Sequence, residues 1–209
     1  ADDEAVPEIW DGPLNEMQVQ CTRMTRLVND LLELSRLETD APGDPDEQPV
    51  PVADLVRRIV ADAENQAGGE RTLEVELDET LGLAGIENEL YSAFSNLVFN
   101  AVRYTDRGGR IRVRWAREAD DTACFCVTDD GIGIDAKHLP FITQRFYRVD
   151  PSRSRSQGGT GLGLAIVKHV LQRHDSELTV ESEPGQGSRF CCGFPAHRTR
   201  ALAQNEGVA

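Results

Sequence analysis

Residues 158–164 read Gly-Gly-Thr-Gly-Leu-Gly-Leu and run straight into Ala165-Ile166-Val167-Lys168. Four glycines within six residues make a poor helix, yet an apolar-periodic run follows at once. The pattern is a flexible loop becoming a helix N-terminus. Such a junction offers unpaired backbone N–H groups and the positive end of the helix dipole, for which phosphate is a common guest. A tight loop between two elements is the simpler alternative. The P-loop spacing, Gly-x-x-x-x-Gly-Lys-Ser/Thr, is absent, and no strand feeds the run. Instead residues 141–159, without clear period, precede it and carry Arg145, Arg148, Arg153 and Arg155 with Ser152, Ser154 and Ser156. An aperiodic loop of this length is a lid or a disordered segment. Its basic character, set against a net charge of −14 for the chain, suits a lid over an anion. A solvated basic loop is the alternative.

That net charge argues against a broad nucleic-acid surface or an anionic membrane as the main partner. The 209 residues, 39% apolar and 28% charged, are enough for one or two globular domains. No apolar run approaches the roughly 20 residues that span a bilayer. Five cysteines, an odd number without a CxxC pair, argue against a zinc site or a disulfide framework. Cys124 and Cys126 share a strand face and read as buried thiols.

In chain order, residues 1–12 are an acidic, unpatterned lead. Residues 13–38 form a long helix, with Leu14, Met17, Cys21, Met24, Val28 and Leu31 at spacings of three and four, widened by Leu27 and Leu34. That stripe suits a bundle or dimer, or a helix packed on its own domain. Residues 39–50, with Pro42, Gly43, Pro45 and Pro49, are a linker. Residues 51–195 then read as helix 52–66, strands 71–77 and 81–86, helix 87–103, a hairpin of 111–115 and 123–128, one helical turn at 135–139, helix 161–173, and a closing hairpin of 178–180 and 188–194. Residues 196–209 read as a flexible polar tail.

Four signals occur along residues 51–195. Asn96 and Asn100 sit one turn apart on an apolar helix; amides there need partners, whether structural hydrogen bonds, water or metal. Asp129-x-Gly131-x-Gly133 ends a strand, where an Asp/Gly β-turn is the plain alternative. Phe146 lies within the arginine-bearing loop, and Gly159-x-Gly161-x-Gly163 opens a helix. In this order they resemble the N box (residues 96–101), first glycine box (129–134), F box (144–147) and second glycine box (159–164) of the ATP-binding catalytic domain of sensor histidine kinases. The likeness covers residues 50–195. The run Arg145-Phe146-Tyr147-Arg148-Val149-Asp150 resembles membrane sensor kinases of the phosphate-regulon type, which signal to winged-helix regulators. Residues 24–38, containing Leu-Leu-Glu-Leu-Ser-Arg-Leu-Glu, resemble the second helix of the family's dimerisation and phosphoacceptor hairpin. The first helix, with its His-Glu/Asp-x-x-x-Pro motif, has no counterpart among these residues. His138, His169, His174 and His197 are the four histidines, and His169 and His174 read as surface residues. A fragment of a longer kinase is the expectation.

The resemblance implies an α/β fold, a two-layer α/β sandwich of the GHKL or Bergerat type. Its mixed sheet packs on three helices and is preceded by one long bundle helix. It implies ATP and Mg²⁺, with Asn100 as main magnesium ligand and Asn96 assisting. An amide at Asn96, where related ATPases carry glutamate, favours phosphoryl transfer over hydrolysis. Asp129 would read adenine through its exocyclic amine, with Gly131 and Gly133 allowing close approach. Arg103 and Tyr104 would touch phosphate and nucleoside. Gly159, Thr160, Gly161, Leu162, Gly163 and Leu164 would form the lid hinge and phosphate contacts, and Phe146 would anchor the lid on the domain. Arg145 or Arg148 would meet the γ-phosphate or the acceptor helix, both roles staying open. The implied partners are the phosphoacceptor helix, a response regulator receiver domain and a second copy in the full-length protein, with no nucleic acid. The implied setting is the cytoplasmic portion of a bacterial inner-membrane protein. A GHKL-fold ATPase and a non-catalytic nucleotide-sensing or dimerisation module are the competing functions.

Overall fold

A computed structural model describes residues 11–39, 47–149 and 159–202. Outside them lie residues 1–10 of the acidic lead, 40–46 of the linker, and 150–158, which include Ser152, Arg153, Ser154, Arg155, Ser156 and Gly158. Residues 203–209 of the tail lie outside them too.

The three-and-four spacing gives helix α1 (Asp11–Thr39). Among the described residues its C-terminal half is the part that packs: Leu34 and Leu37 are buried, while Leu14, Met17, Met24, Val28 and Leu31 stay exposed. The partner is α4 (Gly163–Arg173), the helix that the glycine run opens. Helix α2 (Val52–Ala67) begins after Pro51, which lacks the N–H a helix interior needs. It ends at Gly68 in the left-handed conformation (φ 62°), whose N–H donates to Glu64 O. Helix α3 (Glu87–Tyr104) buries Leu90, Phe94, Leu97, Val98 and Ala101 along one stripe. None of these helices is long and apolar enough to cross a membrane.

Strands β2 (Thr72–Leu77), β4 (Arg110–Arg117), β5 (Ala123–Asp129), β6 (Glu177–Glu183) and β7 (Gly187–Phe194) form one sheet in the order β2-β4-β5-β7-β6. The β2–β4 pair is parallel and the rest are antiparallel, so the sheet is mixed. Alternation sends Ile111, Val113 and Trp115 of β4, with Phe125 and Val127 of β5, toward the helices. Phe94 of α3 stacks on Phe125 with ring centroids 4.0 Å apart, and Phe194 meets Phe94 and Trp115 edge-on. Trp115 Nε1 donates to Leu81 O at 2.9 Å. That bond ties the large sheet to a small antiparallel one, β1 (Gln48–Val50), β3 (Leu81–Gly85) and β8 (Thr199–Ala201). The result is the α/β two-layer architecture: a mixed sheet covered on one face by α2, α3 and α4, with α1 against α4.

Several expectations need correction. The last residues of the linker are strand β1. Residues 136–138 are turn and Leu139–Phe141 a 3-10 turn, because Pro140 lacks the donor that would continue a helix. The start of the supposed tail is structured: Ala196–Arg198 form a 3-10 turn and Thr199–Ala201 pair with β3. Arg198 holds this return in place, bonding Glu47 at 2.6 Å and Asp175 at 2.9 Å. Cys126 is not a free thiol but is joined to Cys191 by a disulfide, and Cys124 is only half-buried. Cys126 and Cys191 stand directly opposite in the β5–β7 register, which spacing along a single strand does not reveal.

His174 is also not on the surface; it is 2% exposed. Its Nδ1 bonds Val170 O at 2.8 Å, and its Nε2 accepts the Ile86 N–H at 3.2 Å. The ring is thus a neutral tautomer bridging the end of α4 and Ile86, which caps the start of α3. Burial holds its pKa down, against opposing pulls from Val170 O and Glu89. Protonation is therefore easier in the unfolded chain, whose histidines titrate near ~6.5. The contribution of His174 to stability is full above that pH and declines as pH falls below it. Urea melts should show stability falling from about pH 7 to pH 5, with the slope much reduced in His174→Asn.

Candidate functional site

Residues 96, 100, 103 and 104 fall at helical spacing, so α3 turns Asn96, Asn100, Arg103 and Tyr104 toward one cavity of about 330 Å³. Asp129, at the end of β5, joins them, as do Gly133, Gly159, Thr160, Gly161, Gly163 and Leu164. Gly131, Arg145, Phe146 and Leu162 do not line it.

Asp129 is buried, and that burial pushes its pKa up, opposed by hydrogen bonds from the Gly131 and Ser188 backbone. Gly131 N–H donates to Asp129 Oδ1 at 2.9 Å. Two glycines are required by the fold. Gly133 takes φ 67°, and a Cβ there would collide with Glu183 O. Gly161 takes φ 77°, and a Cβ would lie 3.0 Å from the Phe146 backbone. Both therefore let the chain approach itself. Asn96 Nδ2 donates to Ser92 O at 2.9 Å, leaving its Oδ1 beside Gly163. The Asn100 amide has no hydrogen-bond partner among the described residues and faces the cavity.

Three guanidiniums face two carboxylates, Asp30 and Asp129, across the cavity. Arg26, Arg103 and Arg148 all line the cavity. Burial lowers the pKa of Arg103, and the charges of Arg26 and Arg148 push the same way against an opposing pull from Tyr104. Nε and Nη2 of Arg148 are buried without a hydrogen-bond partner among the described residues. Unpaired guanidinium N–H groups in a partly dry site are costly and favour an incoming anion. One carboxylate already answers part of this charge. Asp30 of α1 accepts from Thr160 Oγ1 at 2.7 Å; burial raises its pKa, while Thr160, Arg26 and Arg103 hold it down.

Two lid expectations change. The Phe146 side chain is 56% exposed and cannot anchor anything with its ring. Its main chain, at φ 62°, donates instead to Gly161 O at 2.9 Å. Tyr147 supplies the packed ring, lying against the core with its hydroxyl 2.7 Å from His138 Nδ1. Arg145 pairs with Glu38 of α1, where His169 Nε2 also lies 3.5 Å away. This partner is on α1, the helix read as the second of the hairpin, and is neither the γ-phosphate nor the acceptor helix that the resemblance implies for Arg145.

The sequence reading missed Arg26 and Asp30, which carried no signal beyond membership of a helix. It also passed over the apolar lining of Phe99, Ile132, Ile134, Ile142 and Phe190. Ile132 and Ile134, alternating with the glycines at 131 and 133, are the visible hint of a slot for a planar, apolar-faced group.

Residues 85–198 match the family described as Histidine kinase-, DNA gyrase B-, and HSP90-like ATPase, and the chain belongs to it. Within that family its relatives are sensor histidine kinases. It is 51% identical over 193 residues to the phosphate regulon sensor protein PhoR of Pseudomonas aeruginosa, an overlap of 91% of this chain and 43% of PhoR. It is 37% identical over 180 residues to the sensor-like histidine kinase SenX3 of Mycobacterium tuberculosis, covering 85% and 43%. The chain thus spans less than half the length of these curated relatives. Among solved structures it resembles the mycobacterial sensor histidine kinase MprB (TM-score 0.65, 26% identity, 75% of this chain and 99% of that one). Full-length ShkA in complex with AMPPNP shares the fold (TM-score 0.77, 24% identity, 97% and 41%).

A cavity with this charge should take inorganic tripolyphosphate. At a hundredfold excess over Kd the linkage is about 2.7 kcal/mol, several degrees of melting temperature for a chain of this size. Thermal unfolding of Arg148→Ala should show most of that shift lost.

Proposed function

We propose that this chain binds ATP with Mg²⁺ and supplies the catalytic part of a protein-histidine kinase. The γ-phosphoryl would pass to a histidine on a first bundle helix, for relay to a response regulator aspartate. One observation carries the reading: a buried carboxylate, two inward amides and a cluster of guanidiniums, one with unpaired N–H groups, share one cavity. That set matches a base with an exocyclic amine, a hard cation and a polyphosphate.

In this reading Asp129 accepts from the adenine amine and rejects guanine, whose carbonyl would face a carboxylate. Ile132, Ile134 and Phe190 bracket the base, and Gly131 and Gly133 keep the wall thin. Asn100 gives Mg²⁺ its main protein ligand and Asn96 the second, directly or through water. Both are oxygen donors of the kind the ion prefers, and the amides need no other fit. The ion, held there, would supply neutralising charge to the phosphates. Arg103, Tyr104 and Arg148 bind the phosphates and nucleoside, while Arg145, paired with α1, acts in positioning the acceptor. Gly159, Thr160, Gly161, Gly163 and Leu164 form the phosphate edge of the lid, and Leu162, fully buried, pins it to the core. Asn96 cannot take a proton from water, so transfer to histidine is favoured over hydrolysis.

The exposed stripe of α1 supports a bundle with the acceptor helix and with a second copy. The relatives' names, sensor protein and sensor-like histidine kinase, support a sensory role; a membrane setting and a response regulator as partner belong to the same proposal.

Calorimetry should detect Mg-dependent ATP binding that Asp129→Asn and Asn100→Asp each weaken by about 10-fold or more, the scale of a lost buried polar contact. Unchanged binding by both variants sinks the site. Mixed with a separate phosphoacceptor hairpin and labelled ATP, the chain should yield an acid-labile phosphohistidine on the hairpin and none on itself. Steady release of phosphate without transfer would mark an ATPase instead.

A further inference from the structure

The helices cover one face of the five-stranded sheet; the other carries paired charges and, at its centre, three cysteines. Cys124 and Cys126 sit two residues apart on β5, and Cys191 is directly across from Cys126 on β7. Alternation puts all three on the face away from α3, whereas buried Cys192 points into the core. Their sulfurs lie within 4.8 Å of one another, and among the described residues no carboxylate or imidazole joins the group. Cys124 Sγ is 3.3 Å from Cys126 Sγ. Arg114 is directly opposite Cys126 on β4, and Arg189 Nη2 is 3.7 Å from its sulfur.

We propose that, once the Cys126–Cys191 bond is reduced, Cys124, Cys126 and Cys191 form a three-thiolate site for a soft monovalent cation, Cu(I). The donor set selects the ion. Three thiolates with no fourth protein ligand suit trigonal Cu(I), whereas a structural zinc site needs four. Three thiolates and one Cu(I) carry −2, and Arg114 and Arg189, each also paired with glutamate on the same face, lie beside the sulfurs and temper that charge. A β-sheet holds the sulfurs at nearly fixed separations, so little chain order remains to be imposed on binding. Cys124, the half-exposed member, gives the ion its entry from solvent.

The redox step balances as follows. The disulfide takes two electrons and two protons from a dithiol reductant, which leaves as its own disulfide, and the S–S bond becomes two thiols. Cu(I) then binds as the three thiols release their protons to solvent. The oxidised chain offers Cu(I) one thiol at this position and the reduced chain three, so occupancy follows the state of the disulfide.

The test uses the whole chain with Cys21→Ser, which removes the exposed unrelated thiol. Reduced anaerobically and freed of reductant, it should hold about one Cu(I) against the chelator bicinchoninate. The unreduced chain should hold none. Cys124→Ser, Cys126→Ser and Cys191→Ser should each lose that copper, while Cys192→Ala keeps it. Circular dichroism melts establish that each variant is folded. Cys124→Ser is the decisive one, because Cys124 takes no part in the disulfide. Copper-edge X-ray absorption on the unsubstituted protein should show three sulfur scatterers. Two scatterers, full retention in Cys124→Ser, or no retention by the reduced chain would each overturn the proposal.

Discussion

Stacking of Phe94 on Phe125 is the contact on which the site depends. Phe94 lies on α3, two residues before Asn96; Phe125 lies on β5, four before Asp129. One ring pair therefore fixes the helix bearing the amides against the strand bearing the carboxylate. Phe194 and Trp115 close the joint edge-on, an arrangement that the ring quadrupoles favour. Trp115 then reaches Leu81 O, so the small sheet takes its position from the same cluster. Displacing this packing would move both halves of the cavity before touching any residue that lines it.

The opposite face of the sheet is held differently. Arg112 pairs with Glu74 at 3.0 Å, Arg114 with Glu76 at 3.4 Å, and Arg189 with Glu181 at 3.3 Å, all between neighbouring strands. Exposed pairs of this kind contribute about 0–1 kcal/mol each. They let one face of the sheet stay wet with much of its charge paired. The acidic chain can thereby spend several of its carboxylates on the surface while the cavity stays cationic.

Much of this was legible in the sequence, because period is local. The period of α3 put Asn96 and Asn100 on one side, and the run 123–128 placed Asp129 at a strand's end. Short and distant features were not legible. Strand β8 has three residues and exists only because β3 offers it an edge. His174 looks like any polar residue at a helix end, and its burial is set by Ile86, 88 residues away. Thr160 and Asp30 are 130 residues apart, and no spacing rule connects them. Phe146 was conspicuous as an aromatic in a basic loop, but the neighbouring Tyr147 carries the packing, since a left-handed backbone turns the Phe146 ring outward.

Asp30 has a thermodynamic consequence. Its carboxylate acts as an internal anion, supplied by a helix whose N-terminal half is exposed among the described residues. A polyanion entering the cavity competes with it for Arg26, Arg103 and Thr160. Competition of this kind is reciprocal: whatever free energy a docked α1 takes from the guest's affinity, the guest takes from the docking of α1. The same few atoms thus make helix position and cavity occupancy a single equilibrium. A force applied to α1 from outside the domain is read inside it as a change in effective anion concentration.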